Sequence, residues 1–209
     1  LLEAIGDHQC GSCACVSPPA ASTSIAVSIA MTACSTCLCG YTGTLLRPGA
    51  VIAAAGADMA EVTVWRRPRV LILGTGDELV EPGTAREQSG RIPESVSYGI
   101  AALATEAGAE VIGSRRLPDE LSVMRAAAAE SLGRADVVVV TGGASVGERD
   151  FAKAMWDGTG LELVFSKVAI KPGKPVWLGR AGSTLVIGLP GNPTSALVTG
   201  RLFLVLLLY

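Results

Sequence analysis

The sequence predicts an α/β domain of three layers, a mostly parallel sheet with helices on both faces. Two observations carry this. From Val70 to Val140 the chain alternates strand, helix, strand, helix, strand, the order that a parallel sheet with crossover helices requires. Val137 to Val140 is an uninterrupted β-branched run, the pattern of a strand covered on both faces rather than one side only.

The elements follow in order. Val70 to Leu73 is the first strand of the main domain, introduced by Arg66-Arg-Pro-Arg69. Ser95 to Ala107 reads as a helix, with Ile100, Leu103 and Ala107 at helical spacing and Gly108 as its stop. Val111-Ile112 is a strand core. Asp119 to Leu132 is a second helix, capped by Asp119, stopped by Gly133, with Leu121, Met124, Ala128 and Leu132 on one stripe and Arg125 facing outward. Thr184 to Ile187 is a later strand, and Leu202 to Leu208 the buried side of a terminal helix.

Three stretches end in shaped loops and together look like an anion site. The Val137–Val140 strand runs into Thr141-Gly142-Gly143, where glycine lets backbone approach a ligand; Ser145 to Lys153 can then start a helix whose free N–H groups face it. Alone, a Gly-Gly pair at a strand end is as readily a plain tight turn. The second stretch holds Lys167, Lys171 and Lys174 within eight residues. An extended Ser166–Ile170 would project Lys167 and Lys171 from one face, and a Pro172-Gly173 turn would return Lys174 to them. The bland alternative is a solvated basic edge. The third stretch, Gly188-Leu-Pro-Gly-Asn-Pro193, puts Asn192 at a helix N-cap and Pro193 at the first helical position, at the sheet edge where α/β domains bind ligands.

Four carboxylates, Asp77, Glu78, Glu94 and Asp150, fall at loop ends rather than on helix faces. Magnesium (Mg2+) is commonly held by one or two carboxylates plus substrate phosphates and water, so acids beside a lysine-lined anion site make chemical sense. Any one of them could equally cap a helix, Asp77 especially.

The motifs GTGDEL (74–79), TGGASVGERDF, KVAIKPGKP and GLPGNP, in this order, resemble the molybdopterin molybdenumtransferases, the MoeA and gephyrin family, over residues 43 to 209. The resemblance implies insertion of molybdate into adenylylated molybdopterin with release of AMP, a magnesium-dependent step in a cytoplasmic homodimer whose site lies between subunits. It implies catalytic roles for Glu78, Glu94, Asp150, Lys167 and Lys171. Binding roles fall to Thr75, Gly76, Gly142, Gly143, Ser145, Gly147, Lys174, Pro190, Gly191, Asn192 and Pro193, and metal contacts to Asp77, Glu78, Glu94 and Asp150. One departure stands out: the family usually shows Asp-Ser/Thr-Asn where this chain has Glu94-Ser95-Val96, and Val96 cannot hydrogen-bond as Asn would. Two other readings remain, an adenylyltransferase acting on the same pterin and a non-catalytic molybdopterin-binding or assembly module.

Composition bounds the rest. With 49% apolar residues, 17% charged and a net charge of −2, the chain can build one good core and offers no basic field for nucleic acid. No run approaches the ~18 to 20 apolar residues that span a bilayer. Residues 1 to 42 are a different material, without Lys or Arg and carrying all six cysteines, including Cys10, Cys13, Cys34 and Cys37 as two C-x2-C pairs beside His8. They read as a zinc-ribbon-like metal site, a disordered segment, or a stretch out of frame with the family. Residues 43 to 65 read as the end of a preceding domain, with a short helical or turn segment at Ala53–Ala57 and an extended run at Val62–Trp65. Residues 66 to 209 are the α/β domain, ending before the family's C-terminal β-domain.

Overall fold

The protein is described by a computed structural model covering residues 46–142 and 151–208. The cysteines and His8, and the helix start expected from Ser145, lie outside the described residues. The chain divides into two compact units, Leu1–Arg66 and Arg67–Tyr209. In the first, helix α1 (Pro48–Gly56) starts with proline at its opening turn, where the missing N–H costs nothing. Val62–Trp65 forms no strand.

The second unit contains, in order, β1 (Arg69–Thr75), β2 (Leu79–Val80), β3 (Ile92–Pro93), α2 (Val96–Glu106), β4 (Glu110–Leu117), α3 (Leu121–Ser131), β5 (Val137–Thr141), α4 (Phe151–Ala154), β6 (Glu162–Phe165), β7 (Trp177–Ala181), β8 (Thr184–Leu189), α5 (Pro193–Thr199), a π segment over Gly200–Leu204, and α6 (Val205–Leu208). Six strands form one sheet in the order β4-β1-β5-β8-β7-β6. The first four are parallel, while β7 and β6 add an antiparallel edge.

The period of two along the buried strands sorts side chains into two cores. Val70, Ile72, Val137, Val139, Ile187 and Leu189 point to one face and pack with Ile100 and Ala104 of α2, Ala196 of α5, and Leu204 and Leu208. Leu73, Val138, Val140 and Val186 point to the other and meet Met124, Ala127 and Ala128 of α3 and Ala152, Met155 and Trp156 around α4. All five residues of β5 are buried, as its β-branched run requires, and each fully buried valine stabilises the fold by about 1.5 to 3 kcal/mol before entropy is counted. The β1-to-β4 and β4-to-β5 crossovers run in opposite directions across the sheet. Right-handed connection then demands helices on opposite faces, which is where α2 and α3 lie.

Two expectations need correction. Helix α3 begins at Leu121 and has no side-chain cap; Asp119 stays outside it, and its backbone N–H donates instead to Asp77 Oδ1 at 3.0 Å. Ser166–Ile170 is irregular rather than extended, because the strand stops at Phe165 and the chain then folds into the turn at Lys171–Pro175. The positions Lys167 and Lys171 therefore do not share a strand face.

Candidate functional site

The parallel strands deliver their C-terminal ends to one edge of the sheet. Gly74 of β1 is level with Thr141 of β5, and Thr141 with Leu189 of β8. Trp177 at the start of β7 is level with Gly188, and Phe165 at the end of β6 with Leu178. The loops after β1, β5, β8 and β6 and the one before β7 thus open on the same edge. That edge gathers Thr75, Gly76, Asp77, Glu78, Gly142, Pro190, Gly191, Asn192, Pro193, Lys174 and Lys167. Gly143, Ser145, Gly147 and Asp150 lie outside the described residues.

The centre of the edge is tightly built. Thr75 Oγ1 donates to the Thr141 carbonyl at 3.2 Å, both residues being buried. Gly142 has φ +83°, and a Cβ there would fall 2.3 Å from the Thr75 carbonyl oxygen. A Cβ on Gly191 would lie 3.2 Å from Gly142 Cα, so the loops of three adjacent strands meet backbone to backbone. Only glycine allows that approach. At Asn192 the side-chain oxygen accepts the Ser195 N–H at 3.1 Å and Pro193 opens α5, as the sequence led us to expect.

The lysine turn is held from behind. Val168 N–H donates to the Lys174 carbonyl at 3.1 Å, which returns Lys174 beside Lys167 despite the lost strand. Gly173 is buried with φ +112°, and a Cβ there would fall 2.2 Å from Thr199 Cγ2, so the turn is seated against α5. Lys167, Lys171 and Lys174 are exposed and make no ion pair among the described residues.

The acidic side lies toward β1 and β4. The short ladder of β2 and β3, invisible in the sequence because it is two residues long, sets the segments of Glu78 and Glu94 side by side. Ile92 N–H donates to the Glu78 carbonyl at 2.9 Å and Glu94 N–H to the Val80 carbonyl at 2.8 Å. Glu78 is exposed, and its carboxylate folds over Gly76, within 2.9 Å of where a Cβ would stand. Asp77 accepts the Asp119 N–H through Oδ1 and receives Arg91 Nη1 on its carbonyl. Partial burial, and then the charge of Asp77, push the Asp119 carboxyl above its ordinary value, with Glu78 adding to the rise.

Glu94 is placed differently from the other acids. It is 6% exposed, and its Oε1 accepts the Ser97 N–H at 2.9 Å while Oε2 accepts Ser97 Oγ. It thereby satisfies a free N–H of α2, a task that the nominal cap, Ser95, leaves undone. No three His, Cys, Asp or Glu gather as a metal cage among the described residues. Asp77 and Glu78 are exposed neighbouring carboxylates, a number that could contribute to holding a hard cation but not cage one.

Residues 71–208 match the profile of a family described as a probable molybdopterin binding domain. The chain belongs to this family. Among relatives of the molybdopterin-binding domain, a molybdopterin molybdenumtransferase of Haemophilus influenzae is 41% identical over 157 residues, 75% of this chain and 38% of its own. Molybdopterin molybdenumtransferase 2 of Mycobacterium tuberculosis is 36% identical over 169 residues, 78% of this chain and 42% of its own. A crystal structure of a MoeA molybdopterin biosynthesis protein from Pyrococcus horikoshii superposes with a TM-score of 0.68 at 30% identity, over 80% of this chain and 41% of that one. The chain thus spans about two fifths of the length of these relatives. The MoaB enzyme of Thermus thermophilus, at 19% identity and a TM-score of 0.51, shares the fold. Among the described residues, no helix of the molybdopterin-binding domain is long and apolar enough to cross a membrane.

The sequence reading missed a cavity of about 290 Å³ at the outer end of the edge, lined by Gly74, Glu81, Glu94, Tyr98, Ser114 and Arg116 among others. A neighbouring cavity of about 480 Å³ shares Arg116 and adds Gly76, Asp77 and Arg91. The available signal was the Arg115-Arg116 pair at a strand end and an exposed Tyr98 in the first turn of a helix.

Proposed function

We propose that this domain binds adenylylated molybdopterin and acts in the insertion of molybdate into its dithiolene, with release of AMP. The whole enzyme is then a cytoplasmic homodimer, with domains beyond those of this chain completing the site. The observation that carries the reading is the lysine turn, seated on α5 through Gly173 and opening on the same sheet edge as Gly142 and Gly191.

Lysine ammonium groups are compact point charges suited to phosphate and molybdate oxygens, and three without counter-ions among the described residues form an anion-attracting end. The glycine junction lets backbone come close to the substrate beside them. Asp77 and Glu78 would hold magnesium together with the substrate's phosphates, and the bound ion would neutralise charge building on the leaving phosphate. Glu78, exposed and folded over Gly76, would accept a proton from an attacking water. Asp150, which falls in the sequence between Gly142 and Phe151 and outside the described residues, completes the proposed set of acids.

The test is to incubate the purified chain with adenylylated molybdopterin, molybdate and magnesium and to measure AMP. Molybdate-dependent AMP release that falls in Lys171→Ala supports the proposal. Consumption of ATP with unadenylylated pterin would instead mark an adenylyltransferase, and tight pterin binding without AMP release even when the domain sits within the whole enzyme would mark a binding module.

A further inference from the structure

The last rung between β7 and β8 pairs a tryptophan with a glycine, Trp177 being level with Gly188. Beyond it the two strands part. Lys174 of the lysine turn lies three residues before Trp177, and Gly191 of the glycine junction three residues after Gly188. This rung therefore joins the two halves of the proposed anion end, and whatever holds it sets their spacing.

Residues opposite each other on an antiparallel ladder share a face, and the Trp177 indole occupies the space that a side chain on Gly188 would need. A Cβ there would fall 1.9 Å from Trp177 Nε1 and 2.1 Å from its Cε2. The ring has nowhere to retreat. Trp177 is 0% exposed and belongs to the core that holds Val138, Val140, Met155 and Trp156. Its neighbour Val176, also 0% exposed, belongs to the opposite core with Ile187, Leu189 and Ala196. Two consecutive side chains thus anchor the exit of the lysine turn into both faces of the sheet, while the Val176 N–H closes the turn by donating to the Gly173 carbonyl at 3.1 Å.

The indole N–H finds no acceptor among the described residues, and burying an unmet donor is unfavourable. A polar handle is therefore no reason for tryptophan at this position. Shape is: the ring fills the volume over Gly188 that a smaller side chain would leave empty. Fully buried, it reaches no ligand itself and acts through the backbone of the turn.

We infer that Trp177 is a positioning residue: seated on Gly188, it sets the lysine turn in register with the Pro190–Gly191 loop. Lys174, and Lys167 tied to it through the Val168 N–H, are thereby presented together to one polyanion. The inference rests on the proposed function only for what the lysines bind.

The experiment measures residue-resolved amide hydrogen exchange and inorganic pyrophosphate binding on the purified chain and four variants. Trp177→Leu deletes Nε1 and Cε2, Gly188→Ala drives the ring from its seat, the double variant combines them, and Trp177→Phe keeps an aromatic ring. In each of the first two, the Val168 and Val176 amides should exchange about tenfold faster and pyrophosphate should bind about tenfold more weakly. In the double variant the new methyl takes up part of the vacated volume, so both readouts should return toward the parent, and Trp177→Phe should stay within about threefold of it. The Ile92 and Glu94 amides, in the β2–β3 ladder away from the turn, should keep their parent rates. Should Gly188→Ala not fold, Trp177→Leu against Trp177→Phe carries the same comparison. Equal acceleration of all four amides is ordinary loss of core packing and overturns the inference, as does a turn that does not respond or a double variant no better than the worse single one. If the turn amides respond as expected but the parent binds no pyrophosphate, the positioning stands and the anion reading of the lysines falls.

Discussion

The junction of Thr75, Gly142 and Gly191 can be tested by adding a single methyl group. In Gly142→Ala the new Cβ stands 2.3 Å from the Thr75 carbonyl oxygen and 3.0 Å from Thr75 Oγ1, at a residue with φ +83°. The left-handed backbone alone costs about 1 to 2 kcal/mol for an L-residue. Forcing a methyl against fixed backbone adds about 1 to 3 kcal/mol, because the neighbour is a main-chain oxygen within a strand and cannot swing away. Gly133→Ala separates the two contributions, since Gly133 has φ +74° but nothing within 4 Å of its would-be Cβ. Urea denaturation of both variants should show Gly142→Ala destabilised by about 2 to 5 kcal/mol and Gly133→Ala by only the first part. If the two lose the same amount, the three loops do not meet as closely as described, and the case for a tight backbone cradle fails with them.

Other outcomes follow from the same geometry. Lys167→Ala and Lys171→Ala each remove a charge-assisted contact of about 1.5 to 3 kcal/mol, so anion affinity should fall roughly tenfold to over a hundredfold while Tm hardly moves; competition binding with molybdate and pyrophosphate checks both halves. Arg125→Ala removes the Arg125 Nη2 donation to Asp157 at 2.9 Å; it should cost up to about 1 kcal/mol in thermal melts and leave anion binding alone. Asp136→Ala should destabilise by about 1 to 3 kcal/mol without touching the site, since Asp136 Oδ2 accepts the Arg69 N–H at 2.8 Å at the opposite edge of the sheet. Asp119 has a raised folded pKa, so the folded state holds the extra proton and stability falls as pH rises from its ordinary 3.8 through the raised value. Asp119→Asn should therefore be more stable than the parent at neutral pH, with the difference vanishing below that window in chemical melts at stepped pH.

The buried half of this fold was legible because its signals are local. Four consecutive β-branched residues at Val137–Val140 leave few alternatives to a covered strand, and Asn192-Pro193 announces the start of α5 by capping chemistry that needs no partner elsewhere. What stayed hidden depends on distant contacts. Lys167 and Lys171 sit at even spacing in a β-compatible run, yet the chain leaves the strand at Phe165 because the Lys171–Pro175 turn is docked on Thr199, nearly thirty residues on. Asp119 has a good cap's composition, but its N–H is claimed by Asp77, and that pairing exists only once β1 and β4 are adjacent. The β2–β3 ladder, four residues in all, carries no periodicity that a sequence window can detect.

The Glu94-Ser95-Val96 departure has a physical reading once α2 is in place. The N-cap side chain of Ser95 makes no capping bond, and Val96 at the first helical position has none to offer, so the polar ends of α2 would be poorly met. Glutamate, one methylene longer than aspartate, reaches both the N–H and the hydroxyl of Ser97 from a position before the cap. This arrangement fixes the carboxylate in a buried wall of the cavity with free lone pairs still available, since each oxygen has accepted only one bond from Ser97. A shortened Glu94→Asp should lose the reach to Ser97 and expose the first turn of α2, costing about 0.5 to 2 kcal/mol as a lost cap does. Ser97→Ala keeps the Ser97 N–H bond and removes only the hydroxyl. If Glu94→Asp and Ser97→Ala are equally mild in stability, the N–H contact is dispensable, and Glu94 is held in the wall by something other than the helix start.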